Sequence, residues 1–127
     1  DVHAEALYRL SSIRFYSYLQ AEEQLIEAMH ILEDFFKRAP QEWKQSNLGI
    51  LSSGYEQLPY TFRQLKKFPQ ALQYTALIDK AEQKPYNIMK KHAAYALIYY
   101  DSGNYALAYQ HVNACLNSFN FAKWYRK

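Results

Sequence analysis

Histidine and carboxylate side chains at helical spacing come closest, in this sequence, to a chemical site. His30 is followed by Glu33 and Asp34, three and four positions on, which would place all three on one face of a helix. Imidazole and carboxylate groups together bind zinc, but a zinc site needs three or four ligands. No second ligand pair of recognisable spacing accompanies this one. We interpret the group as an exposed polar helix face, and we predict no metal and no other cofactor.

Other reactive residue types lack the partners that catalysis requires. The single cysteine, Cys115, is interpreted as a small residue on a packed helix face. The stretch LSSGYE at 51–56 does not have the G-x-S-x-G arrangement of a nucleophile elbow. The 3 glycines, at 49, 54 and 103, are too far apart to form a phosphate-binding loop. We therefore predict no catalytic residue and interpret the chain as non-enzymatic.

The composition predicts a helical globular domain. The chain has 127 residues, of which 50% are hydrophobic and 21% are charged, with only 3 Gly and 4 Pro. This length fits one domain with a buried core, and so few turn formers do not suit a sheet of many short strands. Leu, Ala, Gln, Glu and Lys, which favour helices, are abundant. We predict an all-α fold in a single domain over residues 1–127.

Charge and hydropathy argue against several classes of protein. The net charge of +3 is below that of a dedicated nucleic-acid binder. We interpret the lysine pairs at 66–67 and 90–91, and the basic tail, as solvated charges. No apolar run reaches the roughly 18–20 residues of a membrane span. Because a single cysteine cannot form an internal disulfide, we expect a reducing, cytoplasmic compartment.

Apolar residues recur at i, i+3 and i+4 in six segments, which predicts six helices. The segments span approximately residues 3–19, 22–37, 41–64, 68–83, 87–101 and 105–119. Pro40, Pro69, Pro85 and Gly103 lie at the joints. Pro59 lies inside the third segment, where it predicts a kink or a break. The last residues, NFAKWYRK, are interpreted either as a frayed helix end or as the start of a further helix.

Three of the six segments share one spacing of large and small residues. Ala28, Ala71 and Ala108 each follow a large apolar residue by three positions, and the alanines are 43 and 37 residues apart. Small residues at such places let paired helices approach closely. We therefore predict that the chain repeats one helix pair, with the three alanines buried where helices meet.

This spacing resembles that of the tetratricopeptide repeat family, whose helix pair reads W-x2-L-G-x2-Y, then A-x3-F, A and P. Residues 92–120 match best, at five places of the pattern: Tyr95, Ala96, Tyr99, Ala108 and Cys115. His92 stands where the family often has Trp, which implies packing between helices, and Pro59 stands where the family has Gly. The resemblance implies a right-handed stack of about three antiparallel helix pairs, in units of approximately 4–40, 45–83 and 87–120.

Repeats this irregular and tyrosine-rich resemble the helical effector domains of Gram-positive quorum-sensing regulators more than they resemble regular scaffold arrays. In those proteins a DNA-binding helix-turn-helix domain precedes a repeat domain that binds a short signalling peptide and dimerises. The resemblance implies a peptide- or protein-binding module with a second copy as a further partner, and DNA contact only through a domain outside these residues. The chain starts at Asp1 rather than at Met, which we interpret as a fragment of a longer protein.

The resemblance also places ligand-facing side chains on the first helix of each unit. The predicted peptide- or partner-binding residues are Ser17, Gln20, Glu56, Tyr60, Arg63, Leu97 and Tyr100. They imply a mixed apolar and aromatic groove with Arg63 as the charged anchor for a peptide. The alternative is that Tyr60 and Tyr100 pack between units. The chain would then be a structural or oligomerisation module whose tyrosine-rich faces bind identical copies.

Overall fold

Seven α-helices make up the described part of the chain. The computed structural model describes the backbone of residues 1–125 and the side chains of residues 1–119. The helices are α1 (Val2–Tyr18), α2 (Glu22–Arg38), α3 (Gln41–Ser46), α4 (Leu48–Gln64), α5 (Phe68–Thr75), α6 (Pro85–Asp101) and α7 (Tyr105–Tyr125). Because residues 1–125 contain no strand, the predicted all-α class is confirmed.

The same turn follows α1, α4 and α6. Two residues beyond each helix the backbone takes a positive φ, of 55° at Gln20, 60° at Lys66 and 87° at Gly103. Two N–H groups at each turn bond back to the final carbonyls of the helix, which is the pattern of a Schellman motif. After α1, for example, the N–H of Gln20 donates to the carbonyl of Ser17 at 3.0 Å. The turn reverses the chain, and α1–α2, α4–α5 and α6–α7 pack as helix hairpins.

The first helices of the three hairpins run in the same direction. Ser17 and Thr61 lie near the C-terminal ends of α1 and α4, which pack together, and their hydroxyl oxygens are 2.6 Å apart. Two ion pairs join α4 to α6 through partners that occur in the same order along both helices: Glu56–Lys90 and Arg63–Asp101. Helices α1, α4 and α6 are therefore parallel to one another, and this arrangement sets α4 and α6 face to face.

Helices α1, α2 and α4 enclose most of the apolar core. Five large side chains at its centre are fully buried: Ile13, Leu25, Leu32, Leu58 and Phe62. At Gly54, α4 comes so close to α2 that an added Cβ would lie 3.0 Å from Leu32 Cδ2 and 3.1 Å from Met29 Sδ. The three alanines of the repeated spacing are all buried, as predicted: Ala28, Ala71 and Ala108.

Several predicted helix boundaries are wrong. The third segment divides at Asn47, between α3 and α4, whereas Pro59 lies inside an unbroken α4. The Asn47 side chain donates through Nδ2 to the carbonyl of Trp43 at 2.7 Å, a bond that competes with helix continuation. Pro59 removes only one backbone N–H, and it is buried where neighbouring helices hold α4 in place. Helix α5 ends at Thr75, well before residue 83, and α7 continues without a break through Tyr125.

Candidate functional site

A groove runs between the parallel helices α4 and α6, and we call it the α4–α6 groove. It has a volume of about 230 Å³, and its lining is mostly apolar. Its lining includes two small side chains of α6, Ala93 and Ala94, and Pro59 of α4, and small side chains leave space between packed helices. Ile78, from the turn after α5, and Ile98 of α6 are nearly fully buried beneath it. A cavity with this lining suits an apolar side chain of a ligand.

Charged side chains border the same groove. Glu56 Oε1 of α4 is 2.6 Å from Lys90 Nζ of α6, and Arg63 of α4 donates to Asp101 Oδ2 of α6 at 2.9 Å. Both pairs are only partly exposed. The Arg63 guanidinium also lies 5.8 Å from the ring centre of Tyr60, within cation–π distance. The groove therefore combines an apolar floor with opposite charges held at its margins.

Four of the seven predicted binding residues meet in this groove: Glu56, Tyr60, Arg63 and Leu97. Tyr100 lies one helical turn further along α6 and borders a neighbouring groove. Gln20 forms the turn after α1, where its side chain is exposed. Ser17 is buried, with its hydroxyl directed at Thr61, so it offers no surface to a ligand.

Lys90 and Ala94 are groove residues that were not predicted from the sequence. Lys90 lies on the partly exposed stripe of α6 that also contains Ala93 and Leu97, so the helical spacing was sufficient to find it. The interpretation of the pair at 90–91 as solvated charges is wrong. Lys90 is bound to Glu56, and Lys91 Nζ is 2.8 Å from Asp79 Oδ2.

A second groove lies between α6 and α7, and we call it the α6–α7 groove. Its volume is about 360 Å³. All of its lining residues are uncharged: Ala96, Leu97, Tyr100, Tyr105, Ala108, Tyr109 and Val112. Tyr100 and Tyr105 pack edge to face, with ring centres 5.4 Å apart. Leu97 belongs to the lining of both grooves.

Histidines form a third feature, at the contact between α6 and α7. The Nδ1 atoms of His92 and His111 are 3.0 Å apart, and their rings stack with centres 5.2 Å apart. Burial lowers the pKa of both rings, and for His92 the neighbouring His111 lowers it further. The packing between helices predicted for His92 is confirmed.

The other side chains considered for chemistry are hydrogen-bonded or partly buried within the protein. His30 Nδ1 lies 3.2 Å from Glu33 Oε1, and the second oxygen of Glu33 accepts a hydrogen bond of 2.6 Å from the Tyr55 hydroxyl. Burial, followed by the Glu33 carboxylate, raises the pKa of Tyr55 well above its ordinary value. Burial also raises the pKa of the Cys115 thiol, which keeps it in its unreactive form. Within residues 1–119 no group of three or more metal-binding side chains comes together.

Comparison with known proteins adds no relative. No protein-family model matches the chain, and no curated protein or solved structure matches it significantly. No helix in the part of the chain described is both long and apolar enough to cross a bilayer.

Proposed function

We propose that the protein is a non-enzymatic, peptide-binding helical repeat module, built as a right-handed stack of three helix pairs like those of tetratricopeptide repeat proteins. Two features support the stack. The turns at Gln20, Lys66 and Gly103 have the same hydrogen-bond pattern, and α1, α4 and α6 are parallel, as the first helices of stacked pairs are. The α4–α6 groove is then a junction between two successive units.

The occupant that we propose for the α4–α6 groove is an extended peptide with an apolar side chain next to a carboxylate. The apolar side chain would lie against Ala93, Ala94 and Pro59. The carboxylate would be bound by Arg63, because a guanidinium has five N–H donors and Asp101 uses only part of them. The meeting of four predicted binding residues around an apolar floor is the observation that carries this proposal.

Selection and mutation of the groove test this assignment. A display library of random 12-residue peptides is selected on the native protein, and the strongest binder is measured by fluorescence anisotropy. We expect its affinity to fall at least about tenfold in each of two variants. Arg63→Ala removes the group that binds the carboxylate, and Ala94→Trp fills the apolar floor of the groove. Arg9→Ala is the matched control, because Arg9 is an arginine on α1, outside the groove, where it is paired with Glu5 and lies over the ring of Tyr8.

Equal binding by all four proteins would remove the α4–α6 groove as the site. Failure to select any peptide that saturates at micromolar concentration would count against the peptide-binding function itself. Circular dichroism spectra at matched concentration establish that each variant still folds.

As a wider role, we propose the regulatory domain of a bacterial transcriptional regulator, located in the cytoplasm. A peptide in the α4–α6 groove would contact two successive helix pairs and so favour one angle between them. DNA contact would belong to a domain outside residues 1–127. In a full-length chain, the selected peptide is expected to change the DNA affinity, measured by electrophoretic mobility shift, and an unchanged affinity would contradict the regulator role.

Self-association through the α6–α7 groove is a second candidate function, favoured by one observation. Residues 105–119 contain no Asp, Glu, Lys or Arg, yet several large side chains there are exposed. Tyr109 is 69% exposed and Leu116 is 53% exposed. A second copy of the chain is the occupant we propose, because an uncharged face meets its own copy without repulsion between like charges.

Sedimentation equilibrium tests this second candidate. We expect the native protein to dimerise and the double variant Tyr109→Ser, Leu116→Ser to be monomeric at the same concentration. Tyr8→Ser, an exposed tyrosine on α1, is the control and is expected to leave the dimer intact. A monomeric native protein, or a dimer that survives the double change, would exclude this face.

A further inference from the structure

The contact between His92 of α6 and His111 of α7 is arranged so that it can hold only a limited number of protons. With 3.0 Å between the two Nδ1 atoms, one ring must donate an N–H and the other must accept it through an unprotonated nitrogen. One proton added to the pair is compatible with this bond. A second proton places two N–H groups, each on a positively charged ring, against one another at the same distance.

Aromatic rings enclose the pair and restrict its contact with water. His111 packs against Tyr95, with ring centres 4.8 Å apart, and stacks on Tyr99 at 5.6 Å. Both histidines are only partly exposed. Cations inside such surroundings lose hydration that the neutral rings do not need.

The charged groups near the pair do not stabilise two added protons. On α6, Lys91 adds positive charge beside the rings and lowers the pKa of His92. Its partner Asp79, from the turn after α5, has the opposite effect on that pKa, but it is bound to Lys91 at 2.8 Å and its effect is the smaller one. Helix α5 contains no charged residue. The groups of α4 that face α6 are bound to Lys90 and Asp101 at the groove margins. On α7, the titratable groups within one turn of His111 are Tyr109 and the Cys115 thiol, and neither carries a negative charge at neutral pH.

We propose that the His92–His111 pair is an acid-sensitive latch between α6 and α7. In their neutral forms the two rings hold α7 against α6. When both rings are protonated, the hydrogen bond and the stacking are lost together, and the packing of α7 loosens. The α6–α7 groove, which is formed by the same two helices, then changes shape.

The direction of the pH effect follows from the folded and unfolded pKa values. An unfolded histidine has a pKa of about 6.5, and burial lowers the pKa of both rings in the folded protein. The unfolded chain therefore binds more protons than the folded one once the pH falls below about 6.5. The stabilisation by the neutral pair is complete above that pH and is lost as the pH falls towards the lowered pKa values.

Urea unfolding of the whole chain at pH 7.5 and pH 5.0 tests the latch. We expect the unfolding midpoint of the native protein to fall on acidification, and the fall to be less than half as large in His92→Gln and in His111→Gln. His30→Gln is the matched control, because His30 is a histidine outside the pair, on α2, and we expect it to retain the full fall. Native-like falls in both pair variants would overturn the proposal.

Proton NMR gives a second, independent measurement, made without urea. Hydrogen exchange of the α7 amides, corrected for intrinsic rates, should accelerate between pH 7.5 and 5.0 while exchange of the α1 and α2 amides does not. The imidazole titration of His92 should move to higher pH in His111→Gln, because a positive neighbour is removed. Uniform exchange across the chain, or an unmoved His92 titration, would contradict the latch.

Discussion

The first four helices and the last hairpin are held together by different kinds of side chain. Between α1, α2 and α4 the contacts are large apolar groups that water does not reach, such as Leu32 and Phe62. Between α6 and α7 they are half-buried histidine and tyrosine rings, among them His111 and Tyr99. Apolar contacts are insensitive to pH, whereas imidazole contacts are not. The comparison indicates that the packing of α1, α2 and α4 supplies most of the stability, whereas the contact between α6 and α7 contains the side chains whose charge changes with pH.

The largest expected effect is in the core of the first region. Leu32 is fully buried against α4. Its truncation in Leu32→Ala should lower the free energy of unfolding by about 3 kcal/mol, since it leaves a cavity. Leu97→Ala, in which the side chain is 49% exposed, is the control and should cost less than about 1 kcal/mol. Equal losses in urea unfolding would break the distinction between the two regions.

A smaller effect is expected at the polar contact that joins α1 to α4. The Thr61 hydroxyl donates to the carbonyl of Gln57 at 2.8 Å, so the hydroxyl of Ser17 must donate to Thr61. Thr61→Val keeps the shape but leaves the buried Ser17 hydroxyl without its acceptor. We expect a loss of about 1–2 kcal/mol in the free energy of unfolding.

A double-mutant cycle isolates that contact. Adding Ser17→Ala to Thr61→Val removes the unpaired donor and should cost less than the sum of the two single changes. Strict additivity would mean that the two hydroxyl groups do not interact, and that this contact does not help to join α1 to α4.

At the turns, the last hairpin has the more favourable backbone, because the residue with positive φ in its turn is a glycine. Gly103 takes its positive φ without penalty, whereas Gln20 and Lys66 carry side chains in the left-handed region. Gln20→Gly and Lys66→Gly should each raise the free energy of unfolding by about 0.5–1 kcal/mol, measured by urea unfolding. Gly103→Ala should lower it by a similar amount, and the opposite signs would show that the three turns are not equivalent.

The smallest effect is expected on the exposed face of the last hairpin. Tyr109→Ser should change the free energy of unfolding by no more than about 0.5 kcal/mol when measured at a concentration where the protein is monomeric. A larger loss would mean that Tyr109 contributes to the stability of the hairpin itself. Its exposure would then be no argument for a contact with a partner.

Helix positions were predictable from the sequence because the apolar stripes and the Pro and Gly residues determine them locally. The start of α2, the end of α6 at Asp101 and the start of α7 at Tyr105 coincide with the predicted limits. The break at Asn47 was missed because it depends on one side-chain hydrogen bond. At Pro59, where a kink or a break was predicted, α4 does not break, because packing on several sides outweighs the loss of a single backbone donor.

The candidate site was predictable only where helix spacing alone decides exposure. Glu56, Tyr60 and Arg63 lie on one partly exposed stripe of α4 and meet α6 together. Ser17 also belongs to the apolar stripe that contains Ile13, and the stripe explains why it is buried. The contact of His92 with His111 depends on how two helices rotate against each other, which no local pattern specifies.

The position of Leu97 couples the α4–α6 groove to the α6–α7 groove. One side chain adopts one rotamer at a time, and this side chain forms part of the wall of both cavities. An occupant that fixes its rotamer on one side thereby sets the width available on the other. If a peptide binds in one groove and a second copy of the chain in the other, as proposed above, thermodynamic reciprocity requires each to change the affinity for the other by the same factor.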